Sequence, residues 1–198
     1  MTTLQEFDDE RHGPSVQRIY EASFPESVRA PWETIVRHRE DEELLVLVDN
    51  SPVAFALVRH LGDTTYTFVR YFAVDDTARG RGHGARLLAE LRHHLERQGR
   101  TALLLDVEAP SSSPEAAGPA DAHRENDLRR IAFYERHGLA LLPVPDYAPP
   151  EHGTTGEIVS LLLMGMPLAD GLPLVDGHLD DCVHAVYRYR YEVDGPTH

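Results

Sequence analysis

Runs of apolar residues separated by short polar turns predict a set of β-strands in the first third of the chain. Residues 65–74 alternate between the two faces with a period of two, as a half-buried strand does. The predicted strands cover residues 3–7, 44–48, 53–61 and 65–74. Because the last three are joined by short turns, the pattern predicts an antiparallel three-strand meander.

Apolar residues at helical spacing predict helices around these strands. One face of a first helix ends at Pro25, and Pro31 suits the first turn of a second helix. A longer helix carries Leu87, Leu88, Leu91 and Leu95 on one side and ends at Gly99. The remaining core elements are strands at residues 101–107, 139–142 and 158–164 and a helix from about residue 125 to 137.

Two loops and the tail complete the pattern. Residues 109–122 are rich in Pro, Ser, Ala and Gly and predict a mobile surface loop, and residues 143–156 form a second loop with four prolines. In the tail, Asp180 and Asp181 could cap a helix, whereas Tyr187 to Val193 alternates as a strand does. We favour the helix and predict a domain over residues 1–166 with an extension over 167–198.

Composition excludes several functions. The chain has 198 residues, 33 acids against 19 bases, a formal charge of −14 and one cysteine, Cys182. This charge argues against nucleic-acid and membrane partners, and we expect a reducing cytoplasm because no disulfide, signal peptide or membrane span is indicated. All the bases are arginine, which excludes Schiff-base chemistry and a Walker A lysine. The acidic run at residues 40–43 is interpreted as a solvated face.

A glycine-rich turn is the strongest candidate binding site. Residues 79–84 read Arg-Gly-Arg-Gly-His-Gly and lead directly into the leucine-bearing helix. Glycines let backbone N–H groups approach a ligand, and the helix N-terminus adds partial positive charge. The turn therefore predicts an anion site, most simply for phosphate.

Two segments resemble the Gcn5-related N-acetyltransferase (GNAT) superfamily. Val74-Asp75 followed by the glycine turn and Leu87-Leu88 is similar to its R/Q-x-x-G-x-G/A acetyl-CoA signature, and residues 126–139, with Phe133-Tyr134, are similar to its second signature. The chain departs from the family pattern at three places. Asp76 stands where proline is common, Arg129 and Arg130 stand where many members carry small polar residues, and Leu139 replaces the usual phenylalanine. The resemblance implies an α/β (α+β) fold: a mixed, mostly antiparallel twisted sheet of about six to seven strands flanked by helices.

The resemblance also implies a site. Acetyl-CoA would lie in a cleft between two splayed strands, with its pantetheine arm against the backbone of Phe72, Ala73 and Val74. Its pyrophosphate would lie on the turn, whose residues are Arg79, Gly80, Arg81, Gly82, His83, Gly84 and Ala85. Tyr134 matches the tyrosine that protonates the departing thiolate in many members. No metal is expected, since the His93-His94 pair has no carboxylate at a fixed spacing. Ser111 to Ser113 have no partnered histidine and are not expected to be nucleophiles.

The attacking amine must lose a proton, so a base is needed. Asp106 and Glu108 project from the same side of their predicted strand. Glu108, at the strand end, is the leading candidate; Glu26, in the Phe24-Pro25-Glu26 turn, is the alternative, and Asp106 is expected to lie deeper and fix backbone.

The resemblance implies an acetyl-CoA-dependent N-acetyltransferase acting by direct transfer to the amine of a small molecule. The acidic composition favours a cationic acceptor such as a polyamine or amino sugar. Two alternatives stay open: a non-catalytic acyl-CoA-binding or amine-sequestering module, and a protein or peptide N-acetyltransferase. The position of the tail stays open: it could pack on the domain, cover the acceptor cleft or lie at an interface such as that of a homodimer.

Overall fold

A computed structural model describes residues 2–26, 29–110, 119–150 and 160–193. Within these ranges seven strands form one sheet in the order β1-β2-β3-β4-β5-β7-β6. The strands are β1 Thr3–Glu6, β2 Glu42–Asp49, β3 Ser51–His60, β4 Tyr66–Val74, β5 Ala102–Glu108, β6 Ala140–Leu141 and β7 Leu161–Pro167. The α-helices are α1 Asp9–Ser23, α2 Trp32–Ile35, α3 His83–Arg97, α4 Pro119–Arg136 and α5 Asp176–Ala185. None of these helices is both long and apolar enough to cross a membrane.

The sheet confirms the predicted fold class. The strands β2, β3 and β4 form the predicted antiparallel meander. Among the described strands, β4 and β5 make the one parallel pair, which the long connection through α3 requires. All other neighbours in the sheet are antiparallel.

Helices cover both faces of the sheet. The predicted leucine face of α3 is buried, and it packs with Ile131 and Tyr134 of α4 on the face that Leu103, Leu105 and Val107 of β5 share. On the opposite face α1 packs over β3. Beside it, the tail packs on Phe68, Leu104 and Leu163. These contacts place α1 and the tail on the same side of the sheet.

The tail adopts the favoured helical alternative. After α5 the chain continues through a π-helical turn, Val186–Arg190, rather than a strand. Cys182, Val183, Val186 and Tyr187 are buried against the sheet. The tyrosine–arginine alternation fails as a strand signal because the neighbouring apolar residues already define a helical face.

Some predicted boundaries are wrong. The helix expected from about residue 125 begins at Pro119, because proline suits a first helical turn and alanines follow it. The loop predicted over residues 109–122 is therefore shorter at its end; its residues 111–118, including Ser111 to Ser113, lie outside the described ranges. The last strand extends to Pro167 because β5 pairs with it along its whole length. Residues 151–156 of the second predicted loop and 158–159 of the predicted strand also lie outside.

The acidic run at residues 40–43 is not a solvated face throughout. Glu42 is buried, and its Oε1 accepts from Arg59 Nε at 2.8 Å and Arg70 Nη1 at 2.5 Å. Glu43 Oε1 lies 2.6 Å from His60 Nε2, and Glu43 Oε2 lies 2.7 Å from His94 Nε2. His94 therefore has a carboxylate partner, which comes from β2 and not from its own helix. Although burial opposes its ionisation, the hydrogen bonds from these histidines hold the pKa of Glu43 well below its usual range.

Replacing Glu42 should be strongly destabilising. Glu42→Gln leaves Arg59 and Arg70, whose side chains are 5% and 10% exposed, without their shared anion. Breaking a buried ion pair costs about 3–5 kcal/mol, so the urea midpoint should fall markedly. Glu40→Gln removes the same charge from an exposed site in the same run and should change the free energy of unfolding by less than about 0.5 kcal/mol. Equal midpoints for the two variants would contradict the structural role of Glu42.

Candidate active site

A gap opens between β4 and β5 in the middle of the sheet. The two strands pair only through Tyr66–Ala102, Thr67–Leu103 and Phe68–Leu104, and beyond these residues they diverge. A β-bulge in β4 begins there: Leu57 pairs with Tyr71 and Val58 with Val69, so Arg70 is the extra residue. Bulges bend a strand and increase its twist, which turns β4 away from β5.

The gap opens into a cavity of about 900 Å³. Phe72, Ala73 and Val74 of β4 line one side, as the family resemblance implies, and Leu105, Val107 and Glu108 of β5 line the other. The edges of β4 and β5 that face the gap have no strand partner past Phe68 and Leu104 among the described residues. Backbone groups at such an edge need hydrogen-bond partners, and an extended ligand arm can supply them.

The glycine-rich turn forms one end of this cavity. Gly80 and Gly82 have φ values of +74° and +81°, in the left-handed region, and a Cβ added at either position would meet nothing within 4 Å. Gly82 is the N-cap of α3 and no side chain caps the helix, so the first amides of α3 stay available. Open space, amides and a helix N-terminus together fit a pyrophosphate.

An ion pair holds the turn against α1. Asp75 is buried; its side chain pairs with Arg18 and accepts from the Thr77 amide at 3.0 Å and hydroxyl at 2.7 Å. The hydrogen bond from Arg18 keeps the pKa of Asp75 well below its usual range. The carboxylate therefore stays ionised near neutral pH and fixes the start of the turn.

Tyr134 lies beside the gap on α4. It is 6% exposed, lines the cavity and packs edge-on against Phe72, with ring centroids 6.1 Å apart. Burial raises its pKa to about 12, although the nearby Arg130 opposes the shift. The phenol is therefore protonated at neutral pH and can donate.

The two predicted bases differ in position. Glu108 lines the cavity at the end of β5; its side chain is 44% exposed, and Oε2 lies 3.8 Å from Arg130 Nη1. Glu26 is exposed and is not among the cavity-lining residues, although Phe24 and Pro25 before it are. Of the predicted turn residues Arg79, Gly80, Gly82, His83, Gly84 and Ala85 line the cavity, whereas Arg81 does not.

Sequence reasoning named Asp106 but missed the residues that line the cavity with it, Arg70, Arg190 and Tyr191; these four residues are called the inner end of the cavity below. Asp106 accepts hydrogen bonds from the hydroxyls of Tyr191 and, at 3.3 Å, Tyr147, in addition to a backbone hydrogen bond within its own residue. Burial raises the pKa of Asp106. A polar residue within the apolar strand β5 was a visible signal, but the tyrosines that meet it come from distant segments.

The fold and the site together define an acyl-CoA-dependent acyltransferase, and comparison with known proteins gives the family. Residues 13–114 match the model of the acetyltransferase (GNAT) family. The chain belongs to this family and is a GNAT acetyltransferase, a family whose co-substrate is acetyl-CoA.

Solved structures share the fold. A putative GNAT acetyltransferase from Bacteroides thetaiotaomicron aligns with a TM-score of 0.73 at 23% identity, over 97% of this chain and 99% of that one. The ribosomal-protein-S18-alanine N-acetyltransferase of Escherichia coli aligns with a TM-score of 0.61 at 21% identity, over 89% and 99%. Ard1 from Thermoplasma volcanium aligns with a TM-score of 0.58 at 20% identity, over 85% of this chain and 99% of that one. No curated protein matches the sequence.

Arg79 tests the anion site without disturbing the core, because it is exposed and lines the cavity. Arg79→Ala should weaken coenzyme A binding about tenfold, the scale of one charge-assisted hydrogen bond of about 1.5 kcal/mol at an exposed position. Isothermal titration with coenzyme A measures this. Arg97→Ala removes the same charge from the other end of α3 and should bind as the unsubstituted protein does. Unchanged affinity in Arg79→Ala would remove Arg79 from the site.

Proposed function

We propose that the protein transfers the acetyl group of acetyl-CoA to the amine of a small molecule, directly and within a ternary complex. The observation that carries the proposal is the gap between β4 and β5, which joins the glycine turn to a cavity containing Tyr134 and Glu108. Both ligands can occupy such a cavity at once, so no acetylated enzyme is needed.

The residues account for both proton transfers. Glu108 takes a proton from the ammonium of the acceptor, which exposes the nitrogen lone pair. The nitrogen forms a bond to the thioester carbonyl carbon and loses its second proton to solvent, and the carbon–sulfur bond breaks. Tyr134 donates its phenolic proton to the sulfur and is reprotonated from solvent. In sum, an ammonium and acetyl-CoA give an amide, a free thiol and one proton.

Segments from distant parts of the chain line the cavity, which supports a small acceptor. The lining residues include Phe24 and Pro25 after α1, Pro149 and Pro150 after β6, and Arg190 and Tyr191 from the tail. A peptide acceptor remains the alternative, and thiol release from acetyl-CoA over a panel of small amines and short peptides separates the two. Turnover confined to peptides would overturn the small-molecule assignment, and tight coenzyme A binding with no turnover would favour a binding module.

Tyr134→Phe should lower kcat and kcat/KM together. The ring keeps its packing while the donor is lost, and the donor's interaction strengthens mainly as the thiolate forms. We expect a loss of about 10²-fold or more, the usual scale of general acid catalysis. Single-turnover kinetics with acetyl-CoA measure the chemical step even if product release limits kcat.

The control is Tyr189→Phe. Tyr189 does not line the cavity, and its hydroxyl donates to Asp63 Oδ1 at 2.9 Å. Its rate should match that of the unsubstituted enzyme. Because burial raises the pKa of Tyr134 to about 12, the phenol stays protonated up to pH 10. Its titration should therefore cause no fall in the rate of the unsubstituted enzyme between pH 7 and 10. Undiminished turnover in Tyr134→Phe would leave the tyrosine as a packing residue.

Glu108→Gln should lower kcat by about 10² to 10⁴, as loss of a general base does. Coenzyme A affinity should be unchanged, because the glycine turn follows β4, whereas Glu108 belongs to β5 across the gap. Glu26→Gln is the paired experiment, since it removes the alternative base. A large loss in Glu26→Gln with little change in Glu108→Gln would reassign the base to Glu26.

A further inference from the structure

Arg190 holds an unusual position at the inner end of the cavity. It closes the π-helical turn after α5, and its guanidinium lies 5.5 Å from the ring centroid of Phe68 and 4.8 Å from that of Tyr191. Phe68 is the last residue of β4 that pairs with β5, so Arg190 lies where the gap begins. Contacts with two ring faces hold the guanidinium in place, and its N–H groups can still donate hydrogen bonds.

No carboxylate of the described residues forms an ion pair with this guanidinium, although Asp106 is near enough to attract it. Within the part of the chain that the structure describes, the side chain of Arg190 makes no hydrogen bond or ion pair, and its Nε is buried without an acceptor. Asp106, the acid that faces it, is outside ion-pair distance and accepts from Tyr191 and Tyr147 instead. A buried donor without a partner is costly, so such groups are ordinarily satisfied by protein, water or ligand.

Arg70 of β4 has a buried donor without an acceptor, as Arg190 does. It lines the same cavity from the bulge of β4, its side chain is 10% exposed, and its Nε is also buried without an acceptor. Its one anionic partner, Glu42, is shared with Arg59. Arg59 also pairs with Asp41 at 3.5 Å and Glu192 at 3.6 Å, so the groups without an acceptor among the described residues are the Nε atoms of Arg70 and Arg190. An anion in the cavity would bring acceptors to these two side chains.

We propose that the inner end binds an anionic group of the acceptor, so that the substrate is an amine that also carries a carboxylate. Arg190 is the principal contact, because its planar edge suits two parallel hydrogen bonds to a carboxylate. Arg70 adds positive charge from the other side. The inference rests on the proposed acetyl transfer, and it differs from the cationic acceptor that the acidic composition predicts.

Matched acceptors test this inference. Thiol release from acetyl-CoA is measured with the standard amino acids, β-alanine and 4-aminobutyrate, each compared with its amide or its decarboxylated amine. We expect kcat/KM to favour the carboxylate form of the best pair about 10- to 100-fold, the worth of one charge-assisted contact. Phosphoethanolamine and taurine distinguish a carboxylate from a phosphate or sulfonate. A preference for amides, or for polyamines without a carboxylate, would overturn the inference.

Arg190→Gln tests whether Arg190 makes the contact with the carboxylate. A contact present in both the ground state and the transition state changes KM rather than kcat, so the carboxylate preference should fall to about one through a higher KM. Arg190→Lys should restore part of the preference. The control is Arg188→Gln, which removes an exposed charge from the same turn outside the cavity and should retain the preference. An unchanged preference in Arg190→Gln would overturn the assignment.

Binding separates failure of the subsite from failure of the proposed function. The same carboxylates are titrated into the coenzyme A complex and followed by calorimetry, for the unsubstituted protein and Arg190→Gln. If carboxylates bind only to the unsubstituted protein but no amine is acetylated, the subsite stands and the proposed transfer falls. If amines without carboxylates are acetylated and carboxylates do not bind, the transfer stands and the subsite falls.

Discussion

The divergence of β4 from β5 is the constraint on which the rest of the structure depends. Each strand keeps its other neighbour along its length, β3 for β4 and β7 for β5, so neither can move across to close the gap without losing an existing ladder. The bulge at Arg70 directs β4 away, and the aromatic group of Phe72, Phe133 and Tyr134 fills the space on the α4 side. The gap is therefore a fixed feature of the fold, suited to a ligand that acts as a missing strand.

Charge is organised locally and against the overall balance. The chain carries a net charge of −14, yet the ends of the cavity are lined by Arg79 at the turn and by Arg70 and Arg190 inside. Field lines concentrate in clefts with low-dielectric walls, so a few cations that line a cleft can outweigh a distant acidic surface for a bound ligand. Net charge is consequently a poor guide to the acceptor, because its location decides its effect.

The sequence predicts those parts of the fold that local patterns determine. Leucine spacing on α3, alternation in β4 and the glycine turn each follow from neighbouring residues, and the structure has them as expected. Glu42 and Glu43 were misjudged because their partners, Arg59, Arg70, His60 and His94, come from three other elements. No local pattern reports such pairing. The inner end of the cavity was missed for the same reason, since Asp106 meets Tyr147 and Tyr191 only in the folded chain.

The two halves of the cavity come from different parts of the chain. The family model ends at residue 114, and it includes β4, the glycine turn and β5, which form the half suited to acetyl-CoA. Tyr134, Arg190 and Tyr191 follow that boundary, and the last two belong to the tail that packs on β4 and β5. A shared donor requires a common binding half, whereas acceptors differ among members. Arg190 and Tyr191 lie outside both the family model and the second signature, so they can differ among members that share the donor. Here the tail places the Arg190 guanidinium where the gap begins.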